Sequence, residues 1–172
     1  MRRAAWLMGF LFVATAGAAD KESIVEIDGL KSKAPADWKE EPPANRMRHA
    51  QFKVGDAELV IFKTLGGGAK ANITRWKGQF DAPTGKTIDD VSKVEEFKFG
   101  AGTATSLDVA GTYKSKNPPF DPNAKEERKP DYRMLAIYID GKNDVYQIKL
   151  TGPAKTVGAQ KKAFDEWVKA FK

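Results

Sequence analysis

Chemistry in this chain would have to come from very few side chains. His49 is the only histidine and cysteine is absent. A Ser-His-Asp or Cys-His set would therefore need His49 beside a nucleophile, yet no Gly-x-Ser-x-Gly or Ser-x-x-Lys pattern accompanies it. Set within a strand-like run, His49 reads as structural. The same counts leave no zinc site built from Cys and His. Gly66-Gly67-Gly68 resembles loops that offer backbone N–H groups to phosphate, but continues Ala69-Lys70-Ala71 where a P-loop needs Gly-Lys-Ser/Thr. It reads as a hinge between strand and helix. Asp140-Gly141-Lys142-Asn143-Asp144 gathers oxygen ligands without the EF-hand order, and Asp-Gly between strands makes a hairpin turn. Asp89-Asp90 and Glu95-Glu96 could supply the carboxylate pair of a glycoside hydrolase, chemistry that depends on separation in space. Asn72-Ile73-Thr74 has the form of a glycosylation sequon but falls on a helical pattern, and reads as helix surface. No catalytic residue, metal or cofactor follows from these motifs.

The elements that would position such groups are easier to read. Tyr132 to Ile139 alternates, Asp140 to Asn143 turns, and Asp144 to Leu150 returns. Successive strand side chains point to opposite faces, so Leu135, Ile137 and Ile139 share a face with Tyr146, Ile148 and Leu150 across a hairpin. Gly152-Pro153 is expected to end the strand and Thr156 to cap a helix. In that helix Val157, Phe164, Trp167, Val168 and Phe171 recur at helical spacing, opposite Lys161, Lys162, Asp165, Glu166 and Lys169. Upstream, Ile24 to Ile27 is a short alternating run, and Lys39-Glu40-Glu41-Pro42-Pro43 reads as an exposed connector. Arg46 to Val54 pairs through Gly55-Asp56 with Ala57 to Lys63, with Met47, His49 and Gln51 on one side and Ala50, Phe52 and Val54 on the other. Ala69 to Phe80 is a helix burying Ala69, Ile73, Trp76 and Phe80. Strands are expected at 91–99 and 103–113. Lys114 to Asp131, with Pro118, Pro119, Pro122 and Pro130, is the one long irregular stretch. Trp76 and Trp167 belong to the core by position, while Trp38 is undetermined. The total is an antiparallel α+β fold: a sheet of six or seven strands covered by two amphipathic helices in a single domain.

Three segments carry a resemblance to a known family. They are Pro35-Ala36-Asp37-Trp38, Asn72-Ile73-Thr74-Arg75-Trp76 on the middle helix, and Thr151-Gly152-Pro153 leading into a Phe- and Trp-bearing helix. In their order the chain resembles the PsbP-like group, which includes the Ran-binding Mog proteins, and exported bacterial proteins of that shape, over most of residues 24–171. The resemblance implies an antiparallel sheet between helices and a role in binding or assembly rather than catalysis. No binding motif of those proteins matches here, so no site residue is carried over.

The N-terminus reads as a secretory leader. Met1-Arg2-Arg3 precedes the apolar Ala4 to Val13, then the small residues Ala14 to Ala19. The apolar run is too short to span a bilayer, and no later segment is a transmembrane candidate. Cleavage leaves residues 20–172 as one domain with 27 basic and 23 acidic side chains, interleaved as in Lys125 to Lys129. That is a solvated surface rather than a nucleic-acid footprint. Without cysteine, stability must come from packing. The expected function is an exported, periplasmic or secreted, soluble binding or accessory domain with no enzymatic activity, meeting an unidentified protein or envelope component. The alternatives are a small hydrolase whose acids converge in the fold, and a small-molecule carrier. Pro118-Pro119-Phe120 places a large ring in a polar loop and is the candidate partner contact, set against a Phe that tucks back to pin the loop. Mass spectrometry of the exported protein should find a chain beginning at Ala19 or Asp20, and an intact leader would refute the cleavage.

Overall fold

The last strand of the chain lies at the centre of the sheet. In the computed structural model, which describes residues 22–63, 66–116 and 123–172, β10 (Val145–Pro153) is hydrogen-bonded antiparallel to β9 (Glu126–Asp140) on one side and β5 (Ala57–Lys63) on the other. The leader and Pro118, Pro119 and Phe120 lie outside the described residues. From β5 the sheet continues to β4 (Arg48–Val54) and β3 (Lys39–Glu41). From β9 it continues to β8 (Gly102–Lys116), whose outer edge takes β7 (Ser92–Phe99) and then the two-residue β6 (Phe80–Asp81). A separate ribbon pairs β1 (Ile24–Ile27) with β2 (Leu30–Lys33). Among the described residues the main sheet thus has eight strands, the surplus over the expected count being the short edge pieces β3 and β6. Among the described residues no helix is long and apolar enough to cross a membrane.

Alternation along the central strands sends one set of side chains to each face. Leu135, Ile137, Ile139, Tyr146, Ile148 and Leu150 point to one core, as expected. There they meet α2 (Ala154–Lys169), through Val157, Phe164, Trp167 and Val168, together with Val25 and Ile27 of the ribbon. Trp38 belongs to this core: its ring lies 5.2 Å from that of Trp167 and its Nε1 donates to Gln160 at 2.9 Å. The ribbon is tied to the chain end by paired backbone bonds between Lys31 and Lys172 (2.9 and 3.2 Å). It is also tied to the β9–β10 turn by Asp28, whose carboxylate accepts the backbone N–H groups of Lys142 and Asn143. On the opposite face α1 (Gly68–Lys77) crosses from β5 to β6 and packs Ile73 and Trp76 on Leu107, Val109, Met134, Ala136 and Tyr138.

Several local expectations are corrected. Gly152-Pro153 does not break the strand: both continue β10, opposite Arg133 and Tyr132. A Cβ at Gly152 would stand 2.6 Å from the Ala57 Cα, so glycine allows the close approach there. Pro153 sits at the N-cap of α2 and makes no side-chain cap bond, so Thr156 lies inside the helix rather than capping it. Lys39–Glu41 is an edge strand, not a connector. Lys114 to Asp131 is largely paired: Tyr113↔Lys129 through Lys116↔Glu126 extend the β8–β9 ribbon past the core. A register shift between Gly111 and Tyr113 bends this ribbon where Pro130 and Asp131, the latter at φ 55°, make up the bulge. His49 is the extra residue of a second bulge, so it faces Tyr146 (rings 5.8 Å apart) and not the side of Gln51. Phe80 is in β6 rather than α1, and Asn72 is buried rather than on the helix surface. Truncating Trp167, 3% exposed among Trp38, Phe164 and Phe171, to alanine should cost about 3–5 kcal/mol. An unchanged denaturation midpoint for Trp167→Ala would show that α2 is not part of the core.

Candidate functional site

Helix α1 spans ten residues, about 15 Å at 1.5 Å per residue, and so covers only part of its face of the sheet. Beyond its C-terminal end that face is open. The opening is a cleft of about 900 Å³ walled by β4, β5, β9, β10 and the β8–β9 ribbon. Its floor comes from the strand positions that alternate with the α2 core. They are Gln147, Lys149 and Thr151 of β10 and Glu58, Val60 and Phe62 of β5, with Trp76 and Gln79 at the helix end. Tyr113 and Tyr132 form one wall, their rings nearly parallel at 8° with centroids 6.0 Å apart.

The cleft gathers cations. Lys149 rises from the middle of the central strand between Ile148 and Leu150, and its Nζ donates to Gln79 Oε1 at 3.2 Å. The residue keeps some surface in the cleft, but the protein atoms crowding its ammonium take water away. That desolvation, reinforced by the positive charges of Arg75 and Arg48 and opposed by Glu58, lowers its pKa to about 8. Arg75 stands exposed at the rim and reaches back to Asn72 Oδ1 and to Gln147 Oε1 (3.2 Å). Asn72 is satisfied on all sides: it donates to the carbonyls of Gly66 and Gly68 and accepts from Gln147 Nε2 at 3.1 Å. The glycine loop is thus closed on its own helix, with Gly67 and Gly68 at positive φ. Arg48 donates through Nη1 to Gln51 (2.7 Å) and Glu58 (2.6 Å), while its Nε is buried without a partner among the described residues. Burial, with the charge of Glu58 and with Tyr132, pushes the Tyr113 phenol above its ordinary value.

His49 and the acidic pairs singled out in the sequence are not in this cleft. His49 Nε2 bonds the Glu26 carbonyl at 2.9 Å on the opposite face of the sheet. Asp90 accepts from the backbone and hydroxyl of Thr87 (2.7 Å each) at the 3₁₀ turn Asp89–Val91, and these bonds hold its carboxyl below the usual range. Glu95 is lowered by its contact with Lys93 at 2.8 Å. Asp89, paired with Lys77 at 2.7 Å, and Glu96 do line one groove of about 700 Å³ between α1 and β7. Among the described residues no three His, Cys, Asp or Glu side chains gather as metal ligands. Arg48, Glu58, Arg75 and Lys149 come from four separate elements, and none of them stands out in its own segment of the sequence.

Comparison with known proteins bears on the fold. No protein-family model matches the chain, and no curated protein matches it in sequence. The solution structure of cyanobacterial PsbP (CyanoP) from Synechocystis sp. PCC 6803 is similar with a TM-score of 0.52 and 14% identity, over 93% of this chain and 96% of that one. The crystal structure of PA94 from Pseudomonas aeruginosa, a protein of unknown function, overlaps 84% of this chain and 92% of its own at 12% identity. Its TM-score of 0.37 is too low to carry an inference. The order of elements that suggested the resemblance is therefore matched in three dimensions, and this chain has a PsbP-like fold.

Proposed function

We propose that the chain is an exported binding or accessory domain that holds its ligand in the cleft beyond α1 and performs no chemistry on it. The observation that carries this reading is the convergence of Lys149, Arg75 and Arg48 on one concave surface, where the nearest acid, Glu58, is held by Arg48. Glycoside hydrolysis wants one carboxyl raised to act as an acid. Among the described residues the shifted carboxylates, Asp28, Asp81, Asp90 and Glu95, are all lowered, and none of them lines the cleft. A concave cleft of this volume falls in the range of small-ligand sites. Export is part of the proposal and rests on the leader read at residues 1–19. The contact through Pro118, Pro119 and Phe120 remains a second surface for a partner. Its ribbon roots, Lys116 and Lys129, border the same cleft.

Lys149 supports a binding role by its cost. A partly desolvated ammonium with one hydrogen bond destabilises the fold, and such a group is kept where something other than stability requires it. The sign follows from linkage: its folded pKa, about 8, lies below the ordinary 10.5. Between these values the unfolded chain binds more protons, so stability rises with pH there, and the penalty is complete below the lower one. Lys149→Met should therefore raise the thermal midpoint near pH 7, with the gap from wild type narrowing as pH climbs toward 10.5. A lowered midpoint at pH 7 would mean that Lys149 is a structural contact. Function is tested by immobilising the mature chain in native envelope extract and identifying what it retains by mass spectrometry. Wild type should hold species that a Lys149→Met, Arg75→Gln double variant loses. Identical retention by both would remove the cleft from function.

A further inference from the structure

We propose that the cleft ligand is a small organic oxyanion, a carboxylate or phosphate head on a flat apolar body, with the head at Lys149, Arg75 and Arg48 and the body against Tyr113 and Tyr132. This deepens the binding reading above and rests on it. Three features of the cleft point to that chemistry.

The first is charge. Basic side chains outnumber acidic ones two to one along the lining, and the acids nearest the floor are engaged. Glu58 is held by Arg48 at 2.6 Å, and Glu41 accepts from Gln51 at 3.0 Å. A third acid, Asp56, lies at the β4–β5 turn. The second is unmet donor capacity. Among the described residues Lys149 has Gln79 as its one hydrogen-bond partner, and the Arg48 Nε is buried with none. An ammonium offers three donors, and a guanidinium five in a planar fork suited to an oxyanion. A bound oxyanion would supply the missing acceptors and the missing negative charge together. The third is shape. The head sites lie where β10 meets the end of α1, and Tyr132 lies four residues along β9 from Ala136, the cross-strand neighbour of Lys149. At about 3.4 Å per residue that separation is roughly 14 Å, within reach of a head and a two-ring body once the long lysine side chain is counted. The near-parallel tyrosine rings give that body an aromatic wall.

Proton linkage follows from the neighbours of Lys149. Arg75 faces it from α1, Arg48 from β4 and Glu58 from β5, with Tyr113 and Tyr132 on the ribbon side. An anion at the head site favours the charged ammonium, so binding should weaken once the free lysine has lost its proton.

The test is calorimetric titration of the mature chain with naphthyl phosphate, naphthoate and the neutral naphthylmethanol, at about pH 7 and about pH 9.5. At least one anion should bind, with naphthylmethanol weaker by about tenfold or more, as loss of charge-assisted hydrogen bonds implies. Lys149→Met should reduce anion affinity by a similar factor. Lys162→Gln, which removes one exposed charge from α2 on the other face of the sheet, should not. Affinity should fall at the higher pH for wild type and stay level for Lys149→Met. Equal binding of the anions and the alcohol would overturn the proposal, as would equal losses in the two lysine variants or no binding by either anion. If no anion binds while extract retention still depends on Lys149 and Arg75, the ligand class fails and the binding reading stands. If retention is a lipid or an acidic protein and the anions are ignored, the small-molecule assignment is wrong.

Discussion

The structure depends on one strand having two incompatible faces. β10 is paired on both edges, so every side chain it carries must point into one of the two layers that cover the sheet. Tyr146, Ile148 and Leu150 point to the side where α2 and the β1–β2 ribbon close a continuous apolar core. Gln147, Lys149 and Thr151 point to the side where, among the described residues, α1 is the only helix. The two helices differ in length, 16 residues against ten. The ribbon adds cover only on the α2 side. The α1 face is left partly open, and the cleft is the uncovered remainder of a central strand.

How much of this was legible follows from where the apolar signal is strong. The hairpin alternation and the stripe on α2 predict the larger core correctly, because burial on one face enforces period 2 in the strands and helical spacing on the helix. Misreadings cluster where backbone pairing acts without apolar side chains. Lys39-Glu40-Glu41 joins the sheet edge through β4 with no hydrophobic residue of its own. The outer β8–β9 ribbon pairs Lys114 with Arg128 and Ser115 with Glu127, and is fastened by Asp81, which accepts from Lys114 and Arg128. Charge and proline density made that segment look irregular. Pro153 misled in the other direction: proline cannot donate to a ladder, but at the last position of a strand it does not have to. At His49 a single inserted residue moves a side chain to the other face, which alternation alone cannot reveal.

The candidate site was less legible than the fold for a related reason. Arg48 owes its position to that bulge, Arg75 to the helix end, and Glu58 and Lys149 to the register between β5 and β10, where Thr151 stands opposite Glu58. Each is an ordinary charged residue in its own segment. Asn72 is similar: its helical neighbours suggest a surface position, while its burial follows from the carbonyls of Gly66 and Gly68 and the amide of Gln147 that surround it.

Asp28 and Lys149 show how the same cost is met in two ways. For Asp28, burial is the largest influence and acts to raise its pKa, yet the backbone N–H groups of Asn143 and Lys142 outweigh it and the carboxyl ends below its ordinary value. The charge is matched by fixed donors, so the group fastens the ribbon to the β9–β10 turn and stabilises the fold at neutral pH. For Lys149, burial is again the largest influence, but the charges nearest it are mostly of its own sign and its one hydrogen bond among the described residues is to a neutral amide. A carboxylate with its partners in place is structural. An ammonium whose one partner among the described residues is a neutral amide is the observation on which the proposed anionic ligand rests.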